Sequence, residues 1–68
     1  MLEPTMRELM GDAGVQNISI RTDNKGLLGT GEFPGTEQQA QRRLNKHFDV
    51  QALGSADEPT IVRCRPKK

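Results

Sequence analysis

The chain has one cysteine, Cys64, and one histidine, His47, and we consider these two as a candidate nucleophile and a candidate general base. Cys64 lies between Arg63 and Arg65, and neighbouring cations can lower the pKa of a thiol. Strand alternation would instead put Cys64 on the side of Val62, opposite both arginines, where a cysteine is a small buried hydrophobe. We interpret His47 as a residue near the end of a helix with no catalytic role. Catalysis would need a nucleophile or a carboxylate at a fixed spacing from His47. We therefore expect that the chain is not an enzyme.

A glycine-rich stretch, GLLGTGEFPG, places four glycines between Gly26 and Gly35. Spaced glycines also occur in loops that cover nucleotide phosphates, but those loops need a catalytic lobe or a Gly-Lys-Ser/Thr run before a helix. The Gly-x-x-Gly within KGLLG matches an RNA-binding loop that joins two helices, whereas this segment follows a strand and a turn. We assign the glycines to the second strand of a hairpin and expect no cofactor.

Length and cysteine content limit the class of protein. Sixty-eight residues, 32% of them hydrophobic, are enough for one small domain (1–68) with a thin core, and we expect flexible tails at 1–4 and 66–68. A single cysteine excludes an internal disulfide, and one histidine without a second thiol argues against a metal site. The sequence has no apolar run of about 20 residues and no signal-peptide core, so the expected location is the cytoplasm, of a cell or of an infected host.

Charge is distributed unevenly along the chain. Residues 1–41 carry three basic and six acidic side chains, whereas residues 42–68 carry seven basic and three acidic ones. This asymmetry suggests an interaction surface, although a solvated face explains it equally well. The candidate partner-binding residues are Arg42, Arg43, Lys46, Arg63 and Arg65.

The elements that must position these residues are a short helix, a hairpin, a main helix and a last strand. In EPTMRELMG (3–11), Thr5 and Glu8 form a capping-box pattern, and Gly11 is the expected stop. VQNISIRT (15–22) alternates apolar and polar residues, DNKG (23–26) is a turn, and LLGTGEF (27–33) returns as the second strand.

The main helix is expected within PGTEQQAQRRLNKHFDV (34–50). Thr36 and Gln39 form a second capping box, and Ala40, Leu44 and Phe48 make a buried stripe at four-residue spacing. Arg42, Arg43 and Lys46 would lie on the exposed side of this helix. GSADEP (54–59) is then expected as a loop, and TIVRCR (60–65) as the last strand, before a basic tail.

The predicted fold is α+β, with a three-stranded antiparallel sheet in the order 2-1-3 and the main helix on one face. We expect a non-enzymatic module, of the kind found among bacterial or phage accessory proteins, that binds a protein partner or itself. The contacts would be an open edge of the second or last strand and the basic helix face. The alternative is a weakly specific nucleic-acid binder that uses the basic helix face and the C-terminal tail. Because Phe33 and Phe48 are the only aromatics and both are needed in the core, base stacking would contribute little.

Overall fold

The computed structural model describes residues 1–55 and 58–67. It has the expected α+β class, with two helices and one antiparallel sheet of four strands. In chain order the elements are α1 (Glu3–Asp12), β1 (Gln16–Asp23), β2 (Gly26–Phe33), α2 (Glu37–Leu44), β3 (Phe48–Ser55) and β4 (Glu58–Pro66). Each half of the chain is thus one helix followed by one hairpin.

The sheet order is β1-β2-β4-β3, so the predicted three-stranded order 2-1-3 is wrong. The predicted last strand lies within β4 and pairs with β2, with Gly31 opposite Val62. The extra strand, β3, explains the error. The chain leaves α2, enters the sheet at its far edge as β3, and folds back as β4 into the place next to β2.

The main helix is shorter than predicted, because α2 ends at Leu44 and Asn45 caps it. Phe48, predicted in the buried stripe of the helix, instead opens β3 and is buried there. The segment from Phe48 to Ala52 also alternates apolar and polar residues, which favours a strand. The expected loop at 54–59 is strand at both described ends, and residues 56 and 57 lie outside the described residues.

The two predicted helix starts differ in outcome. The Thr36–Gln39 capping box is confirmed: Gln39 N donates to Thr36 Oγ1 at 3.2 Å, and Thr36 N donates to Gln39 Oε1 at 3.1 Å. The Thr5 box is wrong, because the N-cap of α1 is Leu2, three residues earlier, and it has no side-chain cap hydrogen bond. Pro4 in the first turn, where no intrahelical N–H is required, explains this early start.

The predicted hairpin is confirmed, with Asp23 opposite Gly26 across a two-residue turn. Lys25 N donates to Asp23 Oδ1 at 2.9 Å, an Asx-type bond that stabilises the turn. At its other end β1 carries a register shift between Gln16 and Ser19, where Asn17 has a positive φ of 52°.

One hydrophobic cluster contains buried side chains from both helices and from three of the strands. Gly29 and Gly31 allow close packing there, since a Cβ on Gly29 would lie 2.6 Å from Met10 Sδ and one on Gly31 would collide with Val15. The glycines of the second strand therefore make room for core side chains. The buried members of the cluster are Met6, Met10, Val15, Phe33, Ala40, Leu44, Phe48, Val62 and Cys64.

Candidate functional site

The basic candidates lie on two separate surfaces. Arg42 and Arg43 are exposed on α2, whereas Lys46, predicted on the helix, lies in the turn after it. Arg63 and Arg65 project from β4 on the opposite side from Val62 and Cys64, because alternate strand residues point to opposite faces. The five candidates therefore do not form one basic patch.

Arg42 and Arg43 themselves point in different directions. Arg42 lines a shallow depression of about 320 Å³ with Gln38, Gln41 and Asn45, all on α2 or at its end. Arg43 lines a different depression, of about 390 Å³, between the ends of the two helices. A ligand bound in the depression at Arg42 would therefore not contact Arg43 there.

Arg65 is held by an intramolecular ion pair. Its two Nη atoms donate to the Asp23 carboxylate at 3.0 and 2.7 Å. This bidentate hydrogen bond, with a further bond from Lys25 N, holds the pKa of Asp23 well below its ordinary value, and the same pairing raises the pKa of Arg65. Arg65 therefore stabilises the hairpin end against β4, and its guanidinium is already engaged.

The sheet side that carries Arg63 and Arg65 has its own small apolar centre. Leu28 is 2% exposed although it lies outside the buried hydrophobic cluster. Arg21 is its register partner on β1, and the β2–β4 register places Arg65 on its other side. The aliphatic stems of arginine can cover such a leucine while their charged ends remain in water.

We call this side of the sheet the polar face and define it by Arg21, Thr30, Asp49, Gln51, Arg63 and Arg65. A groove of about 360 Å³ runs along it, lined among others by Leu28, Asp49, Gln51 and Arg63. Within the described residues, neither Asp49 nor Arg63 forms a salt bridge. The groove thus offers one carboxylate, of Asp49, and two cations, of Arg63 and Lys25, that form no salt bridge in the described part of the chain.

The two reactive side chains differ in exposure: Cys64 is buried, whereas His47 is exposed and lines the depression at Arg43 together with Asp12. Cys64 is 0% exposed, and burial raises the pKa of its thiol to about 12, so the thiol stays protonated at neutral pH. His47 is exposed in the turn before β3, with its ring edge-to-face against Phe48 at 6.3 Å. Among residues 1–55 and 58–67, no group of three His, Cys, Asp or Glu side chains could hold a metal ion.

The sheet edges are β1 and β3, so the expected open edges at the second and last strands are wrong, since both of those strands lie inside the sheet. The β1 edge is obstructed. Its backbone is bulged at Asn17, and Arg7 of α1 donates to the Ile18 carbonyl at 3.2 Å. Bulges and covering side chains are devices that prevent strand addition.

The β3 edge is regular from Phe48 to Leu53. Lys67 N donates to the His47 carbonyl at 3.2 Å, which marks this pair as hydrogen-bonded. Hydrogen-bonded pairs alternate along an antiparallel ladder, so the backbone groups of Val50 and Ala52 point away from β4. Gly54 follows Ala52 by two residues, so its N–H is expected to point away from β4 as well. This N–H donates to Glu37 Oε1 at 2.9 Å, which agrees with that direction.

Two exposed aliphatic side chains flank this edge on the same side as the polar face. Leu53 is 57% exposed and Ile61 is 43% exposed, and the two residues are register partners on β3 and β4. Sequence reasoning missed the β3 edge because it assigned Phe48 to the helix. The signal that could have identified this edge is the alternation of apolar and polar residues from 48 to 52.

In comparisons with protein-family models, characterised proteins and solved structures, nothing matches this chain. Neither described helix is long and apolar enough to cross a membrane. The function of the chain must therefore be inferred from its own residues.

Proposed function

We propose that this chain is a non-enzymatic module that binds a protein partner, or a second copy of itself, by adding a strand of that partner to the β3 edge. The observation that carries the proposal is the difference between the two edges. A bulge and the hydrogen bond from Arg7 to the Ile18 carbonyl obstruct β1. On β3 the Glu37 side chain engages the N–H of Gly54, beyond the regular stretch, and within the described residues no side chain hydrogen-bonds the outward backbone groups of Val50 and Ala52. An added strand would satisfy these groups, and its side chains would give specificity.

The proposed contact extends from the β3 edge onto the polar face. Helices α1 and α2 cover the opposite face of the sheet in this proposal, so the polar face stays open to the partner. Leu53 and Ile61 supply the apolar part of the contact, and Gln51 and Arg63 the polar part. Arg42, on the exposed side of α2, adds a peripheral basic contact for an acidic partner.

The nucleic-acid alternative has less support from the residues. Phe33 and Phe48 are buried in the core, so base stacking on them is excluded unless the core opens. The basic candidates lie on two surfaces, and Arg65 is already paired with Asp23. A backbone-directed contact would rest on Arg42, Arg43, Lys46 and the basic C-terminal tail.

The proposal can be tested by site-specific photo-crosslinking in cells whose genome encodes this chain. A photoreactive amino acid replaces Gln51, exposed beside the β3 edge, and in a matched control it replaces Ser19, exposed on β1. We expect protein adducts, identified by mass spectrometry, from position 51 and not from position 19. Adducts from neither position, or equal adducts from both, would contradict the proposal, and nucleic-acid adducts would support the alternative.

A second pair of variants links the adducts to the backbone edge. Ala52→Pro removes an outward N–H from β3 and leaves the ladder with β4 intact. The alternation of hydrogen-bonded pairs continues through the β2–β4 and β1–β2 registers, and it makes the N–H of Thr22 point away from β2. Thr22→Pro on the β1 edge is therefore the matched control. We expect Ala52→Pro to abolish the adducts at position 51 and Thr22→Pro to preserve them.

A further inference from the structure

Two charged side chains near the β3 edge lack ionic partners within the described residues. A strand that binds this edge is expected to bring the opposite charges. Asp49 lies on β3 itself, and Arg63 lies one strand further in, on β4. Both belong to the polar face. Arg65, the register partner of Asp49, donates instead to Asp23 from both Nη atoms, so it leaves the Asp49 carboxylate available.

We propose that the occupant of the β3 edge is a second copy of this chain, paired antiparallel so that Val50 faces the partner's Val50. This inference rests on the proposed function, since it requires that the β3 edge accept a strand. The two copies would be related by a two-fold axis, and their sheets would join into one sheet of eight strands.

The register follows from the direction of the backbone groups. Only residues with outward groups can form hydrogen-bonded pairs across the new interface, so Phe48, Val50 or Ala52 of one copy must face one of these three residues in the other. Pairing Phe48 with Val50 would place Asp49 opposite the partner's Asp49 and so join like charges. Pairing Val50 with Ala52 would place Asp49 opposite the exposed, apolar Leu53. Pairing Ala52 with Ala52 would place Leu53 opposite Gln51 and leave Asp49 near the end of the contact.

Pairing Val50 with Val50 places Asp49 opposite the partner's Gln51, whose register partner on β4 is Arg63. The carboxylate of one copy and the guanidinium of the other then lie in one row, two strand spacings apart, which is about 10 Å between Cα atoms. Extended arginine and aspartate side chains on one face span that separation. The two-fold axis repeats the contact, so the single register satisfies both charges in both copies.

Charge exchange tests this register. In Asp49→Arg the homodimer would place arginine against arginine, and in Arg63→Asp it would place aspartate against aspartate. We expect each variant alone to dimerise about tenfold or more weakly than the unmodified chain, measured by analytical ultracentrifugation over a concentration series.

A mixture of the two variants reverses the expectation. In the heterodimer the arginine introduced by Asp49→Arg faces the aspartate introduced by Arg63→Asp. At the symmetry-related contact, the native Arg63 of the first variant faces the native Asp49 of the second. Both contacts then join opposite charges, so the mixture is expected to restore dimerisation as a heterodimer.

Failure of the dimer and failure of the β3 edge as a binding site give different experimental results. Thermal melting by circular dichroism first confirms that both variants are folded. Restored association in the mixture supports the register, because misfolded variants would not recover on mixing. Variants that each dimerise like the unmodified chain would overturn the register. A monomeric unmodified chain would overturn the second copy as occupant, whereas adducts of other proteins at position 51 would still support the β3 edge as a binding site.

Discussion

Adding a methyl group at Gly31 tests whether the glycines of β2 are required by core packing. A Cβ at this position would collide with Val15 Cγ1 and lie 2.9 Å from the Gln16 carbonyl oxygen. Val15 is β-branched and buried, and Gln16 contributes backbone, so neither neighbour can move away easily. We expect Gly31→Ala to destabilise the fold, because the backbone of β1 must shift to admit the methyl group.

The comparison with Gly29 isolates the cause. A Cβ at Gly29 would lie 2.6 Å from Met10 Sδ and 2.8 Å from Met6 Cε, which are far ends of flexible side chains. Overpacking of a rigid site costs about 1–3 kcal/mol, and alanine returns about 0.4–1 kcal/mol by restricting the unfolded chain. We therefore expect Gly31→Ala to lower the free energy of unfolding by about 1–2 kcal/mol, and Gly29→Ala to leave it nearly unchanged.

Thermal and urea unfolding followed by circular dichroism measure both variants. A loss of about 1–2 kcal/mol lowers Tm by about 4–16 °C in a domain of this size. Gly11→Ala is the control, since a Cβ there meets only Ile18 Cδ1 at 3.9 Å inside α1, and alanine stabilises a helix by about 0.5–1 kcal/mol. If Gly31→Ala is as stable as Gly29→Ala, the packing explanation of the glycines is wrong.

Three other predictions concern the helix cap, an ion pair and the buried thiol. Thr36→Ala removes the hydroxyl that accepts from Gln39 N, and we expect urea unfolding to show a loss of about 1 kcal/mol that Thr36→Ser largely avoids. Asp23 has a folded pKa below its ordinary 3.8, so its ionised form stabilises the fold above about pH 4 and that contribution is lost as pH falls further. Asp23→Asn should therefore be less stable than the unmodified chain at pH 7, with the difference shrinking in acid; a constant difference would contradict the assignment. Cys64 is buried with a pKa raised to about 12, so a thiol reagent at about pH 8 should label it only as fast as the fold opens, and labelling at the rate of a free thiol would contradict its burial.

Local signals predicted the elements whose stabilising contacts are local. The hairpin at Asp23 and the capping box at Thr36 depend on residues within four positions of each other, and both are present. The α1 cap was misplaced because Thr5 and Glu8 match the pattern, while Pro4 and the burial of Met6 favour an earlier start. Pattern alone does not rank these competing contributions.

The strand β3 was not predicted because Phe48 fits two periodicities, that of a helix and that of a strand. Phe48 lies four residues after Leu44, which suits a helix, and two residues before Val50, which suits a strand. Pairing with β4 decides in favour of the strand, and that pairing is a tertiary interaction. The wrong sheet order followed directly, because the place of β4 depends on the presence of β3.

The candidate site was predictable only in part for the same reason. Alternation correctly separated Cys64 from Arg63 and Arg65. Which strands are edges depends on the complete sheet order, so the open edge at Val50 and Ala52 could not be identified without it. The pairing of Arg65 with Asp23 joins residues 42 positions apart and has no local signature.

The repetition of one helix and one hairpin in each half of the chain has a consequence for assembly. The halves meet where β2 pairs with β4, and Met6 and Met10 of the first half share a core with Val62 and Cys64 of the second. Neither half has a complete core of its own, so the chain is in effect a covalently linked pair of αββ units. Cutting the connection at Pro34–Gly35 would give two fragments that fold only on association, and regain of structure would then depend on fragment concentration, as in a bimolecular reaction.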